Sequence, residues 1–181
     1  MNLRDVSITS QLTCLYHRCP EGISGAYAVY AKIHKKVRPP LDWSLGISAG
    51  RSFFAPLSHN TRADGSWIHN RHVVIIDTVL ATRDLTWICR HALSLTFIDN
   101  HQESTSQVAT LQHWASGGAN IHVVFDLNCA MGHLVWNWVS PGTPYPTVID
   151  AVASKTVIYQ DLKEVCALES LAAFAEYDRA L

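Results

Sequence analysis

Residues 73–77 read Val-Val-Ile-Ile-Asp, and this stretch decides the fold class because four β-branched apolar residues run directly into a carboxylate. Three further short runs, at residues 11–16, 94–98 and 121–125, are also rich in Val, Ile, Leu or Phe. None of them shows the clean alternation of polar and apolar residues that marks a strand with one wet face. Continuous apolar strands are typical of a parallel sheet that helices cover on both faces.

Helical patterns separate these strands and follow the last of them. They occupy residues 22–36, 83–93, 104–115, 128–139, 146–158 and 162–177. Strands and helices in alternation predict an α/β fold. A further strand at residues 52–56 would give a mainly parallel sheet of about five strands flanked by helices, in a Rossmann-like arrangement. The chain has no linker, internal repeat or low-complexity tract, so we expect residues 1–181 to form a single domain.

The composition excludes several protein classes. With 48% hydrophobic residues, 16% charged residues and a net charge of −1, the chain is unlike a disordered protein. No apolar run approaches the ~20 residues of a membrane-spanning helix, and residues 1–10 lack the apolar core of a secretory signal. We therefore expect a soluble intracellular protein without a membrane partner. Its address is cytoplasmic by default, and an organellar one stays open if import uses an internal signal.

The five cysteines are an odd number, and no two of them form a CxxC pair. This pattern argues against a disulfide framework and against a structural zinc site. We interpret the cysteines as buried, reduced thiols.

Polar residues follow three of the predicted strands at the point where each strand ends. His17 and Glu21 follow the first, Asp77 follows the second, and Asp99 and His101 follow the third. The carboxyl ends of parallel strands meet at one edge of a sheet, where ligands bind. Imidazole and carboxylate groups are ligands of divalent metals, and the free N–H groups of residues 22–25 would favour an anion nearby. The simpler alternative is that each acidic residue only caps a helix or turn.

These residues, in this order, resemble the motifs of the DHH phosphoesterase superfamily. Residues 17–28 are similar to the HxDCPDGFGAAYA motif of a short branch of that superfamily. Asp77 matches the strand-ending Asp of the second motif, and Asp99-Asn100-His101 stands at the DHH triplet. Residues 123–136 resemble a VxFDxxxSGAxLAW segment, and residues 146–158 resemble a helix that usually ends in Asp-Arg-Asp-Leu-Trp. The resemblance covers about residues 11–160.

The resemblance implies a metal-dependent phosphoesterase whose two divalent ions, Mn²⁺ or Mg²⁺, share Asp77. His17, Glu21 and Asp77 stand at the ligands of one ion, with Glu21 one methylene longer than the usual Asp. At the positions that would bind the other ion, this sequence has Asp77, Ile23, Asn100 and Thr156. Of these, Asp77 alone is a strong ligand of a divalent cation, so we expect the second site to be lost. Asp99 and His101 are implied to be catalytic, and His101 matches the His that contacts the substrate phosphate.

Two functions follow from these matches and departures. The first is a divergent metal-dependent phosphohydrolase acting on a small phosphoester, a nucleotide or an oligonucleotide, with a phosphate-containing small molecule or short nucleic acid as partner. The alternative is an inactive DHH-fold pseudoenzyme that binds protein partners as a scaffold subunit, for example in a ribonucleoprotein assembly. Ile23, Asn100 and Thr156, an acidic helical stretch at 161–181 in place of a C-terminal substrate-binding module, and six tryptophans favour the alternative. A third hypothesis is a different fold, in which the acidic residues at the strand ends are only caps.

Overall fold

Parallel β-strands form the centre of the structure, a computed structural model that describes residues 12–17, 19–34, 44–47 and 68–154. Helices follow most of the strands along the chain, as in other α/β folds. The strands are β1 (Leu12–His17), β2 (Ser44–Ile47), β3 (His72–Ile76), β4 (Ser94–Asp99) and β5 (Ile121–Phe125). The helices are α1 (Pro20–His34), α2 (Thr82–His91), α3 (Thr105–Ser116), α4 (Met131–Val139) and α5 (Thr147–Ala153), and a short 3₁₀ turn spans Gln102–Ser104.

The strand order places the candidate site. Strands β1, β3, β4 and β5 pair in parallel in that order, and β2 pairs with the other side of β1. The chain therefore moves outward from β1 in one direction to β2 and in the other to β3. Ligands of open parallel sheets bind in the crevice where the strand order reverses in this way. Here that crevice lies beyond the carboxyl ends of β1 and β3.

Both faces of the sheet are covered, which explains why the strands are apolar throughout. In β3, Val74 and Ile76 pack on the face that carries α1, α4 and α5. Val73 and Ile75 pack on the opposite face, which carries α2 and α3. Successive residues of a strand point to opposite faces, so a sheet covered on both sides needs an apolar residue at every position.

Two glycines let α1 and α4 approach closely. A Cβ atom on Gly25 would lie 2.7 Å from Ile76 Cγ2, and one on Gly132 would lie 2.8 Å from Ser24 Oγ. Real Cβ atoms essentially never come this close, so a larger residue at Gly25 would displace α1 from β3, and one at Gly132 would displace Ser24 of α1. The beginning of α1 is consequently held between the sheet and α4.

The predicted α/β fold with a parallel sheet flanked by helices is confirmed. The four apolar runs form β1, β3, β4 and β5, each within one residue of its predicted bounds. Strand β2 was not predicted; it lies in a segment that the sequence marks as rich in loops. The strand expected at residues 52–56 and the helix at 162–177 lie outside the described residues. Within the described part of the chain, no helix combines the length and the apolar character needed to cross a bilayer.

Candidate metal centre

Asp77 occupies the middle of the site, directly after β3. Its backbone adopts a left-handed conformation, with φ of 56°, which a short polar side chain tolerates better than most. Its N–H donates to the carbonyl oxygen of Ile98 on β4 at 3.1 Å, so the turn stays fixed to the neighbouring strand. Backbone conformations of this kind cost roughly 1–3 kcal/mol and cluster at functional sites. The Asp77 side chain is only 2% exposed.

The two carboxylate oxygens of Asp77 face different groups. Oδ2 lies 2.7 Å from Cys19 Sγ and 3.7 Å from His17 Nδ1. Oδ1 lies 3.2 Å from His101 Nδ1. Burial raises the pKa of Asp77, and its Cys19 hydrogen bond and the charges of His101 and His17 oppose that rise. The structure thus builds two sets of side chains around one buried carboxylate.

Cys19 connects β1 to the beginning of α1. Its thiol donates to Asp77, and its sulfur accepts a hydrogen bond from the Gly22 N–H at 3.2 Å. Burial and the adjacent Asp77 raise the pKa of the Cys19 thiol to about 12. The first turn of α1 reaches this position because residue 22 is glycine. A Cβ atom there would lie 2.2 Å from the His17 carbonyl oxygen.

On the other side of Asp77, His101 lies between Asp99 and Glu21. Its Nδ1 is 2.9 Å from Asp99 Oδ1, and its Nε2 is 3.9 Å from Glu21 Oε2. Asp99 Oδ1 also accepts the backbone N–H of His101 at 2.8 Å, so the buried Asp99 fixes both the ring and the backbone. Burial alone would lower the pKa of His101, but the Asp99 hydrogen bond and the nearby carboxylates outweigh it and raise the pKa.

Two groups of side chains could hold a metal ion in the described residues. One consists of His17, Cys19 and Asp77, and the other of Glu21, Asp77 and His101. In each group the ligand atoms lie within 4.8 Å of one another. The predicted ligands His17 and Glu21 therefore fall in different groups that share Asp77. The Glu21 carboxylate lies on the His101 side, 3.9 Å from His101 Nε2.

The second ion implied by the family resemblance does not fit the residues at its positions. Ile23 is buried in the core between α1 and the sheet, with no donor atom to offer. The Asn100 amide donates to the Cys129 carbonyl oxygen at 2.9 Å, and Asn100 Oδ1 is buried without a hydrogen-bond partner among the described residues. Thr156 lies outside the described residues. Asp77 is the single carboxylate among these four residues, whereas the group of Glu21, Asp77 and His101 brings two carboxylates and an imidazole together for one divalent cation.

Sequence reasoning missed Cys19, which it treated as one of five structural thiols. A signal was available, because Cys19 lies between His17 and Glu21 in the turn that follows a strand. The structure does not support binding of the expected anion by the first of the N–H groups of residues 22–25. Helix α1 begins at Pro20 rather than at residue 22, and the Gly22 N–H already donates to Cys19 Sγ.

Comparison with known proteins gives no match of any kind: no family model, no curated protein and no solved structure aligns significantly with this chain.

Proposed function

We propose that the chain is a divergent DHH-like phosphoesterase that uses a divalent metal to hydrolyse a small phosphoester, a nucleotide or an oligonucleotide. One observation carries this proposal. The buried Asp77 carboxylate lies where the strand order reverses and is shared by two groups of metal-ligand side chains. The resemblance of residues 17–28, Asp77 and residues 99–101 to DHH motifs supports the same reaction class.

Glu21, Asp77 and His101 would hold the catalytic ion, Mn²⁺ or Mg²⁺, because two carboxylates and an imidazole suit these cations. A divalent ion held there would supply the Lewis acidity that polarises a phosphoryl oxygen. Asp99 acts as a positioning residue, since it accepts the Nδ1–H of His101 and leaves Nε2 on the side of Glu21. A carboxylate behind a ligating histidine is a recurrent arrangement in metal sites.

The exposure of these side chains suits a substrate that arrives from solvent. His101 is 45% exposed and Glu21 is 39% exposed, whereas Asp77 and Asp99 lie beneath them at 2% and 1%. A phosphate group can therefore reach His101 while the buried carboxylates stay fixed.

An inactive binding protein is the second candidate, and Ile23 and Asn100 favour it. Both occupy positions where the resemblance implies ligands of a second ion. Ile23 is packed in the core, and Asn100 offers a neutral amide there, whose nitrogen donates to the Cys129 carbonyl oxygen. The tryptophans add little, since Trp136 and Trp138 on α4 are each partly buried against the core. A surface docking site would need a more exposed ring than either provides.

Calorimetric titration with Mn²⁺, combined with hydrolysis of a chromogenic phosphodiester, tests the proposal on the full chain. Wild type, Asp77→Ala and the control Asp150→Ala are compared. Asp150 pairs with His133 on the surface at 2.7 Å, away from the Asp77 groups. We expect micromolar binding and turnover in wild type and the control. Both should disappear in Asp77→Ala.

The other outcomes separate the alternatives. Manganese binding without turnover would overturn the enzyme proposal and favour the inactive binding protein. If no manganese binds, the chain has no catalytic metal of the proposed kind, and the phosphoesterase proposal is overturned.

A further inference from the structure

The Cys19 side of Asp77 has a different chemistry from the Glu21 side. It presents one imidazole, one thiol and one carboxylate oxygen, from His17, Cys19 and Asp77. Thiolate and imidazole ligands select zinc and other softer cations, whereas oxygen-rich sets suit Mn²⁺ and Mg²⁺. We propose that His17, Cys19 and Asp77 form a zinc site, separate in metal preference from the Mn²⁺ or Mg²⁺ group across the same carboxylate. This inference rests on the proposed function only in that Asp77 is a metal ligand in both.

The distances from Asp77 to the other two ligand atoms are each within about 1 Å of what tetrahedral zinc requires. With Zn–N and Zn–O of about 2.0–2.1 Å, an imidazole nitrogen and a carboxylate oxygen stand about 3.3 Å apart, and His17 Nδ1 and Asp77 Oδ2 are 3.7 Å apart. A sulfur and an oxygen ligand stand about 3.5 Å apart, against 2.7 Å between Cys19 Sγ and Asp77 Oδ2. The sulfur must retreat by less than about 1 Å, which the side chain can do by a change at χ1.

The hydrogen bonds around Cys19 change in a balanced way when the ion binds. The S–H proton that now bonds Asp77 leaves to solvent, and the sulfur and the carboxylate oxygen each form a bond to the cation. The Gly22 N–H already points at the sulfur and keeps its acceptor when the thiol becomes a thiolate. Such N–H groups at a helix N-terminus stabilise negative charge on sulfur.

Three protein ligands leave one position of a zinc tetrahedron open. The His17 side chain is 31% exposed, so the group is accessible from solvent. Open sites with three protein ligands are the catalytic type, whereas structural zinc sites are closed by four. The site therefore differs from the structural zinc sites that a CxxC pattern predicts. The absence of that pattern does not argue against a zinc site of the open type.

Cobalt tests this inference, because Co²⁺ occupies zinc sites and a cobalt–thiolate bond absorbs in the near ultraviolet by charge transfer. The full chain is titrated with Co²⁺, and zinc affinity is measured by displacement of the cobalt. Wild type is compared with Cys19→Ser and with Cys89→Ser, a matched control on the opposite face of the sheet. We expect the thiolate band in wild type and Cys89→Ser. Cys19→Ser should lose the band and at least about tenfold in zinc affinity.

Absence of the band in wild type is sufficient to overturn the inference, so that arm of the test does not depend on the variants folding. Cobalt bound without a thiolate band would overturn the inference and leave the phosphoesterase proposal intact, because the Glu21 group would then be the only occupied one. A band that survives Cys19→Ser, or disappears in Cys89→Ser, would place the thiolate elsewhere and also overturn it. Binding of neither Co²⁺ nor Mn²⁺ would overturn both proposals together.

Discussion

The two edges of the sheet both carry histidines, but they engage them differently. At the carboxyl edge, His17 and His101 face the carboxylates of Asp77, Asp99 and Glu21. At the amino edge, His69 packs edge-on against Trp87 and His91, with ring centroids 5.7 and 4.6 Å apart, and those two rings stack on each other at 4.5 Å.

The groups that a histidine contacts, rather than the histidine itself, thus distinguish a candidate metal ligand from a residue that only packs against its neighbours. At the amino edge the hydrogen bonds also involve neutral groups: His91 Nδ1 donates to the Trp87 carbonyl oxygen, and a hydrogen bond joins His72 Nδ1 and Ser94 Oγ. In the described residues the groups able to hold a metal all lie at the carboxyl edge. His69 and His72, which lie before or at the start of β3, thus have contacts typical of structural residues.

Among the substitutions that test the contrast between the two edges, we expect Gly22→Ala at the carboxyl edge to have the largest effect on stability and metal binding. In Gly22→Ala the new Cβ would lie 2.2 Å from the His17 carbonyl oxygen, so the turn that carries Cys19 must move. We expect a loss of at least about 2 kcal/mol in the free energy of unfolding, together with loss of metal binding. Urea denaturation and metal titration measure the two effects. Gly117→Ala is the control, because its Cβ would have an ordinary contact distance of 3.4 Å; equal effects of the two substitutions would contradict the prediction.

A smaller effect should follow from Asp99, whose hydrogen bonds to the site go to His101. Asp99→Asn keeps the shape but weakens the acceptor of the Nδ1–H. We expect Mn²⁺ affinity to fall about 10–100-fold, as for other carboxylates behind ligating histidines. Calorimetry measures the change. At the amino edge, His91→Gln breaks the bond to the Trp87 carbonyl oxygen and should leave the affinity unchanged. An Asp99→Asn affinity equal to wild type would show that His101 needs no positioning.

The smallest predicted effect concerns the pH dependence of stability in the metal-free protein, which should have opposite signs for His101 at the carboxyl edge and His72 at the amino edge. The Asp99 bond and nearby carboxylates outweigh burial and raise the pKa of His101, so its stabilisation is present below the unfolded pKa of about 6.5 and is lost as pH rises through the raised value. Burial lowers the pKa of His72, so its stabilisation is present above about 6.5 and is lost as pH falls through the lowered value.

Denaturation in the presence of a chelator, at pH 5.5 and at pH 8.5, measures this difference. Relative to wild type, His101→Gln should lose more stability at the acidic pH, and His72→Gln should lose more at the alkaline pH. Each change should stay below about 1 kcal/mol because both rings are partly exposed and screened. His113→Gln, an exposed position on α3, serves as the control. The same sign at both edges would contradict the proposed origin of the shifts.

The sequence predicts the strands and the location of the candidate site at their carboxyl ends better than it predicts which side chains of the site contact one another. Asp77 could be located because a buried strand runs straight into it, and parallel strands end at a common edge. The contact between Cys19 and Asp77 could not be found in this way, since it joins residues 58 apart through a turn whose path depends on Gly22. Strand β2 escaped prediction because its sequence, Ser-Leu-Gly-Ile, is short and carries a glycine.

The departures from the DHH pattern were visible in the sequence, but their structural uses were not. Asn100 stands where the DHH pattern has a histidine, yet its hydrogen bond to the Cys129 carbonyl oxygen depends on the loop after β5. Asp99 was predicted to be catalytic, and the structure places it beneath His101 as a buried acceptor. Roles of this kind depend on which side chain lies above which, and residue spacing along one chain does not encode that.

The candidate ligands come from the ends of three strands, β1, β3 and β4, that are far apart along the chain. An unfolded chain cannot hold these groups together, so an ion that binds there binds the native state alone. By mass action, a free metal concentration of 100 times its Kd would add about 2.7 kcal/mol to the free energy of unfolding. The melting temperature of the purified chain would then depend on its metal content, and a chelator would act on it as a denaturant does.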